Sequence, residues 1–240
     1  MRVRVLLALA AVVVAACTAW QPSAADVLLL GEVHDDPDHH HRHRQVVETL
    51  AAQGRLAALA LEMADTGVST QGLPASASEG EVRSALRWHE QGWPWAAYGP
   101  AVMAAVRSGV PVLGANLPRA QMRQAMQDET IDSTLDPQAL RAQREAVRAG
   151  HCDLLPPAQL PGMVRVQLAR DRAMAQAVAG RVEPGKTVVL LAGAAHVDPQ
   201  LGVPRHLPAA LRAESVAWPR SGQAPAGDPC TALREQLQRR

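Results

Sequence analysis

The feature that most constrains the fold of this 240-residue chain is a set of short, unbroken apolar runs. Strands that are covered on both faces of a sheet look like this, because every side chain in them is buried. The runs cover residues 27–30, 56–61, 110–113 and 188–191, with a weaker one at 214–218. Helical patterns separate them, at residues 37–53, 79–90, 97–108, 118–128, 137–149, 159–180 and 204–213. The alternation predicts an α/β fold, with a mostly parallel sheet flanked by helices.

The same pattern divides the chain into segments. Residues 26–218 are predicted to form one α/β domain. The stretch 118–186 within it is too long for a single crossover between two strands, so we expect a small helical subdomain inserted there. Residues 219–240 are interpreted as a tether rich in Pro and Gly and a C-terminal tail with a short helix.

Composition excludes several classes of protein. The chain has 24 basic and 23 acidic residues, a formal net charge of +1, so a nucleic-acid binder with a strong basic field is excluded. A hydrophobic content of 48% with so little net charge argues against disorder. The chain has no G-x-S-x-G, no P-loop and no dinucleotide-binding glycine pattern, so serine hydrolases, NTPases and dinucleotide enzymes have no support.

The N-terminus predicts export and a lipid anchor. Residues 1–17 begin with two arginines, continue with an apolar run too short to span a bilayer, and end at Cys17. The run before Cys17 resembles a bacterial lipobox, and the alternative is an ordinary secretory signal with an incidental cysteine. In an oxidising compartment the remaining pair, Cys152 and Cys230, suggests one disulfide, with two separate buried thiols as the alternative.

Polar residues follow the predicted strands where ligands bind to open α/β sheets, beyond the carboxyl ends of the strands. The first and fourth strands are followed by Gly-x-x-His motifs ending in His34 and His196, the second ends in Glu62 and the third in Asn116. A glycine permits a tight turn off a strand, after which the histidine projects toward the crevice. The alternative is that these histidines only bond loop backbone.

A second histidine cluster follows the first motif. Asp36 and Pro37 predict a helix start, with His39, His40, His41 and His43 in its first turns. Of these, His39 and His43 are one turn apart, a spacing that can chelate a metal ion. We expect His41 and His43 on a solvated face, and His39 and His40 nearer the crevice.

Aromatic residues are concentrated in one segment. Three of the five tryptophans, Trp88, Trp93 and Trp95, and the only tyrosine, Tyr98, fall within eleven residues. Such a surface suits a large planar ligand, and a tyrosinate can hold ferric haem iron. The alternative is the aromatic core of a helical turn.

Together these motifs resemble the ChaN family, haem-binding bacterial lipoproteins of the Tiki superfamily. The resemblance covers about residues 26–212 and rests on residues 30–37 with the following histidines, 61–63, 93–98, 151–152, 167–171, 193–196 and 202–207. It implies a parallel sheet with a smaller helical part and two haems stacked face to face in a dimer. One tyrosine holds each iron, and a histidine and a lysine of the other subunit contact the propionates.

Carried over to this chain, the resemblance implies that Tyr98 is the iron ligand. His34, His39 and His40 are the candidates for the propionate histidine, and His196 is expected at the same haem site. This chain departs from the family pattern at the propionate lysine. Its only lysine, Lys186, precedes the fourth strand and is expected at the opposite edge of the sheet, so we expect Arg205 to replace the family's lysine.

The sequence therefore predicts a periplasmic protein that carries haem in haem and iron uptake. We expect it to form a homodimer on haem binding and to receive haem from an outer-membrane receptor. The Thr18 after Cys17 favours an outer-membrane lipoprotein facing the periplasm. The alternative is a metal-dependent hydrolase with His34, Glu62 and His196 as ligands, and Glu32 or Glu62 as catalytic carboxylate. The aromatic segment, which a metallohydrolase would not need, favours haem. A third reading is a structural lipoprotein whose strand-end residues only stabilise loops.

Overall fold

The computed structural model describes residues 24–222 and 229–238. Five strands form one sheet in the order β3-β2-β4-β1-β5, and all neighbours are parallel. They are β1 (Val27–Glu32), β2 (Leu56–Asp65), β3 (Val112–Asn116), β4 (Thr187–Gly193) and β5 (Ala213–Ala217). The predicted α/β fold is therefore confirmed. The predicted leader 1–17 with Cys17, and the middle of the tether, lie outside the described residues.

Helices connect the strands and cover both faces of the sheet. They are α1 (Pro37–Ala52), α2 (Glu79–Ala85), α3 (Trp95–Arg107), α4 (Arg119–Gln127), α5 (Pro137–Gly150), α6 (Leu160–Ala179) and α7 (Pro229–Gln238). The start of α1 follows the predicted chemistry, since the Asp36 carboxylate accepts from the Asp38 N–H and Pro37 occupies the first turn.

Two predicted helices differ in the structure. The segment predicted as 79–90 is helical only to Ala85, and Arg87 adopts a positive φ of 47° that ends the helix. The segment predicted as 204–213 contains only a short 3-10 turn, Val203–His206, which a second proline, Pro208, follows. Prolines lack the N–H donor that a longer helix there would need.

The two faces of the sheet carry separate hydrophobic clusters. Leu28 and Leu30 of β1 face a cluster shared with α1, α2 and α3, whereas Val27 and Leu29 face one shared with α6. Between β3 and β4, helices α4, α5 and α6 enclose a third cluster around Val164 and Leu168. Each face of the sheet is thus buried, which explains the unbroken apolar runs.

The C-terminal segment returns across the domain. A disulfide joins Cys152, just after α5, to Cys230 in α7. Within the described part of the chain, no helix has the length and apolar character needed to cross a membrane.

Candidate functional site

The sheet order brings two carboxylates to either side of one strand end. Glu32, the last residue of β1, is in register with Gly193 at the end of β4. On the other side of β4, Leu61 of β2 pairs with Leu191, so Glu62 follows at the same edge. The Gly193 N–H donates to the Glu62 carboxylate at 2.6 Å. This edge is the carboxyl end of the strands, where the sequence predicts ligand binding.

The buried Glu32 carboxylate is the centre of a histidine and tyrosine cluster. Its Oε1 accepts from the Tyr98 hydroxyl at 2.6 Å and from His34 Nδ1 at 2.7 Å. On the other oxygen, Oε2, His43 Nδ1 lies at 3.2 Å and His40 Nε2 at 3.7 Å. We call Glu32, Tyr98, His34, His40 and His43 the Glu32 cluster. It joins the end of β1 to the first turns of α1 and α3.

Tyr98 is deeply enclosed within this cluster. It is 1% exposed, and the rings of Trp88, Trp93 and His40 pack around it at centroid distances of 6.0, 5.8 and 4.9 Å. Burial, together with the neighbouring charge of Glu32, raises the pKa of the phenol well above its usual value. The phenol is therefore neutral and turned inward, and its oxygen is not presented to a ligand outside the protein.

His34 is the member of the cluster that reaches the surface. Its side chain is 43% exposed, against 13% for His40, and its ring lies edge-on to Trp93 at 4.9 Å. Burial alone would lower the pKa of His34, but the hydrogen bond to Glu32 and the charge of Glu62 outweigh it and raise the pKa.

The second carboxylate, Glu62, belongs to a separate ion-pair network. It accepts from the Arg170 guanidinium, and His196 Nε2 lies 3.5 Å from it. The other ring nitrogen, His196 Nδ1, donates to Asp171 at 2.5 Å. Burial alone would lower the pKa of His196, but Asp171 and Glu62 raise it to about 9. Burial would raise the pKa of Glu62, yet His196 and Arg170 hold it well below its usual value.

This ion-pair network disagrees with the alternative prediction of a metal site at the strand ends. His34, Glu62 and His196 were expected as ligands of a metallohydrolase, but Glu62 is occupied by Arg170 and the two histidines each donate to a carboxylate. Across residues 24–222 and 229–238, no group of three or more His, Cys, Asp or Glu side chains is placed to hold a metal ion. The structure therefore does not favour the hydrolase, nor Glu32 or Glu62 as its catalytic carboxylate.

Two histidines of α1 have different surroundings from those predicted. His39 was a candidate for the propionates, but it is fully buried, its Nδ1 accepts from the Val33 N–H at 2.9 Å, and its Nε2 donates to the Pro219 carbonyl at 3.0 Å. Both nitrogens are thus used within the fold. His43, predicted on a solvated face, is buried, and burial lowers its pKa to about 4. His41 is exposed, as predicted.

The predicted replacement for the lysine is also engaged elsewhere. Arg205 pairs with Asp136 at the start of α5, at 3.0 Å. Lys186 pairs with Glu183 just before β4, at the edge of the sheet opposite the carboxylates. The sequence reasoning missed Arg220, which pairs at 3.0 Å with Asp35, the residue directly after His34.

A short C-terminal segment covers the buried histidines, and we call residues 218–221 the C-terminal strap. Its Trp218 packs against His39 and His43 at centroid distances of 5.8 and 5.5 Å. Its Ser221 donates to the Asp36 carboxylate through both the backbone N–H at 2.6 Å and the hydroxyl at 2.7 Å. The one sequence signal for it was a tryptophan standing alone at the end of the weakest predicted strand.

The glycines of the two Gly-x-x-His motifs permit close approach rather than a special turn. A Cβ on Gly31 would lie 2.4 Å from Val197 Cγ2, inside the packed core. A Cβ on Gly193 would lie 2.9 Å from His34 Nε2. The second glycine therefore keeps clear the space beside the imidazole of the first motif.

Comparisons with known proteins agree with this architecture. A family model described as haem-binding uptake, Tiki superfamily, ChaN matches residues 19–207. Among solved structures, ChaN of Campylobacter jejuni, described as showing cofacial haem binding, has 25% sequence identity and a TM-score of 0.62, with 81% of each chain covered.

A second solved structure, that of the type III effector HopBA1, has 17% identity and a TM-score of 0.39. The comparison covers 71% of this chain and 67% of the effector. No curated protein matches the chain.

Proposed function

The chain belongs to the ChaN family of haem-binding uptake proteins in the Tiki superfamily, and from that premise we propose that it carries haem during uptake. The observation that carries the proposal is the Glu32 cluster, which lies at the carboxyl end of the sheet and reaches the surface mainly through His34. The haem-bound structure of Campylobacter jejuni ChaN, which covers most of the chain, supports the same ligand.

The surface around His34 has the groups that a haem requires. Trp93 offers a half-buried aromatic ring beside the imidazole, and a porphyrin buries large apolar area against such rings. Arg220 pairs with Asp35, the residue directly after His34, and a guanidinium binds carboxylates such as the propionates in a two-pronged geometry. We assign to Arg220 the propionate role that Arg205 was expected to have.

Tyr98, the iron ligand that the resemblance implies, is less accessible to a haem than these surface residues. A phenol that is 1% exposed and donates to Glu32 would reach a porphyrin only after the rings above it had moved. The residues of this structure that fit haem without such a movement are His34, Trp93 and Arg220, with His40 behind them.

The finer parts of the proposal concern assembly and location. We propose that two copies meet at the His34 surface and place their haems together, as the cofacial arrangement of the Campylobacter jejuni protein supports. Residues 1–17 would supply the lipid anchor at Cys17, which would hold the carrier on the outer membrane, facing the periplasm and a haem receptor. Substituting Cys17→Ser should release the protein from the membrane fraction, and a protein that stays there would contradict the anchor.

Titration with haemin tests the proposed function directly. The Soret absorption of haemin should shift and saturate as purified protein is added, and sedimentation should show a dimer at saturation. His41→Ala serves as a control that should titrate like the wild type, because His41 lies exposed on α1 and bonds only Gln45 among the described residues. Haemin absorption that changes without saturating, or equally with an unrelated protein, would refute haem binding.

A further inference from the structure

A cavity of about 600 Å³ lies on the opposite face of the sheet from the Glu32 cluster, and we call it the α6 groove. Strand β3, at the edge of the sheet, forms its floor. One wall is α6, and the other is the segment 66–69, which follows β2. Cavities that bind small molecules usually measure about 300–1,000 Å³, so the groove has room for a ligand of that size.

The loop wall of the groove is held in place by the backbone of β3. The Gly114 N–H donates to the Val68 carbonyl at 3.1 Å, and the Thr66 N–H donates to the Asn116 carbonyl at 2.7 Å. A Cβ on Gly114 would lie 1.9 Å from the carbonyl oxygen of Asp65. Only a glycine therefore lets this segment lie so close to the strand, and the wall is part of the fold without any ligand.

Small and apolar side chains shape the inside of the groove. Ala169, Ala173 and Ala177 recur every four residues on α6, so they lie in one row along the helix and fill little of the space beside it. Leu113 and Leu117 add apolar surface from β3 and the residue that follows it. The middle of the groove is therefore suited to a hydrocarbon.

Two arginines on the α6 side give the groove its charge. Arg172 lies in the middle of α6, and Arg181 follows the end of the helix at Gly180. At a rise of 1.5 Å per residue, Arg172 and Gly180 are about 12 Å apart along the helix, so the two positive charges come from separate places in the groove.

Neither arginine is neutralised by a carboxylate. Across residues 24–222 and 229–238, neither guanidinium forms an ion pair, and none of the described residues that line the groove is acidic. Asp128 lies within electrostatic reach of Arg172, but its carboxylate accepts from the Thr130 hydroxyl at 2.6 Å instead.

A larger cavity, between α1, α2 and α3, shows the contrast. Its Arg44 pairs with Glu48 and its Arg83 with Glu90, each at 2.7 Å, and all four residues line that cavity. Positive charge there is balanced within the protein, whereas the charge of the α6 groove is left for a ligand to balance.

We propose that the α6 groove binds a small amphipathic dicarboxylate, an organic anion with an acid group at each end and a hydrocarbon middle. Each guanidinium would hold one carboxylate through two parallel hydrogen bonds, and the apolar floor would contact the hydrocarbon. None of the described lining residues is a His, Tyr, Cys or Met, the side chains that bind haem iron. The groove is therefore a second site, separate from the haem site proposed above.

The test is a calorimetric titration of the purified protein, at low ionic strength, with three probes. These are the long diacid sebacate, decanoate as its counterpart with one carboxylate, and succinate as a short diacid. We expect sebacate to bind at one site per chain and at least about tenfold more tightly than either of the others, because only sebacate satisfies both arginines and the apolar floor.

Variants identify the groups that bind. Arg172→Gln and Arg181→Gln should each weaken sebacate binding at least about tenfold and remove its advantage over decanoate. Ala173→Leu, which fills the groove, should abolish sebacate binding. Arg123→Gln is the matched control, because Arg123 is exposed on α4 and does not line the groove. Thermal unfolding without ligand should show all four variants folded.

Several results would overturn the proposal. Equal affinity for sebacate and decanoate would mean that one acid group suffices, and an affinity for sebacate unchanged in Arg172→Gln and Arg181→Gln would exclude the arginines. The absence of saturable sebacate binding by the wild type would refute the site itself. Haemin titration of both arginine variants should match the wild type, and a loss of haem binding in both would refute the separation of the two sites.

Discussion

Substituting alanine for the glycines of the two Gly-x-x-His motifs should separate ligand binding from folding. In Gly193→Ala the new methyl group would crowd the end of a half-exposed side chain, His34, at 2.9 Å, and would lie in ordinary contact with Glu62 Oε2 at 3.6 Å. The imidazole can rotate away at the cost of its hydrogen bond to Glu32, worth about 1 kcal/mol. The backbone φ of −59° suits alanine, and the loss of glycine flexibility in the unfolded chain returns about 0.4–1 kcal/mol.

Gly31→Ala is the matched control for that substitution. Its methyl group would lie 2.4 Å from Val197 Cγ2 and 3.1 Å from the Ala194 Cα, both held inside the fold. Overpacking of this kind costs about 1–3 kcal/mol. Urea unfolding should therefore show Gly193→Ala within about 1 kcal/mol of the wild type and Gly31→Ala clearly destabilised.

Haemin titration supplies the second half of the experiment. Gly193→Ala should bind haem at least about tenfold more weakly, which corresponds to about 1.4 kcal/mol of binding free energy. Gly31→Ala, measured under conditions where it is folded, should retain the wild-type affinity. Unchanged haem binding by Gly193→Ala would refute the reasoning that this glycine leaves room for the imidazole of His34, and so would an equal loss of stability in both variants.

Three further predictions concern stability. Raising the pH from 6 to 10 should cost the folded protein about 3 kcal/mol through His196, because its pKa rises from 6.5 in the unfolded chain to about 9 in the fold. That contribution is fully present below pH 6.5 and lost as the pH passes 9, so urea unfolding of His196→Asn should depend less on pH in this range. Tyr98→Phe should lower the free energy of unfolding by about 1.5–3 kcal/mol, measured the same way, because it removes a buried hydrogen bond to Glu32; an unchanged value would contradict the bond. Reducing the Cys152–Cys230 disulfide, which closes a sequence separation of 78 residues, should cost about 2–4 kcal/mol, and Cys152→Ser with Cys230→Ser should match the reduced wild type.

The sheet was predictable because burial on both faces is recorded in local sequence. Val27 to Leu30 and Val188 to Leu191 are apolar at every position, and their flanking helices show as clear patterns. The run at 110–113 was predicted about two residues early, since Val112–Asn116 forms the strand and its last residue, Asn116, is polar but still paired. The polar and ionisable residues at the strand ends were predicted for the same reason, because they directly follow the apolar runs in the sequence.

Contacts between distant parts of the chain were not predictable in this way. His43 was expected to face solvent from its place on α1, but Trp218 packs against it from 175 positions further along the chain. The hydrogen bond from Tyr98 to Glu32 and the pairing of Arg220 with Asp35 also join distant parts of the chain. Residue spacing indicates which face of a helix a side chain occupies, but not which segment covers that face.

The C-terminal strap also has a consequence for the order in which the protein is completed during synthesis. The ribosome delivers the chain from its N-terminus, and early segments begin to fold before later ones emerge. All five residues of the Glu32 cluster lie within the first 98 positions, whereas the tryptophan that covers His43 is Trp218. A nascent chain would therefore contain every member of the Glu32 cluster long before Trp218 could cover His43. Chains terminated before Trp218 should expose buried histidines, which would make them targets for adventitious metals and for proteases rather than haem carriers.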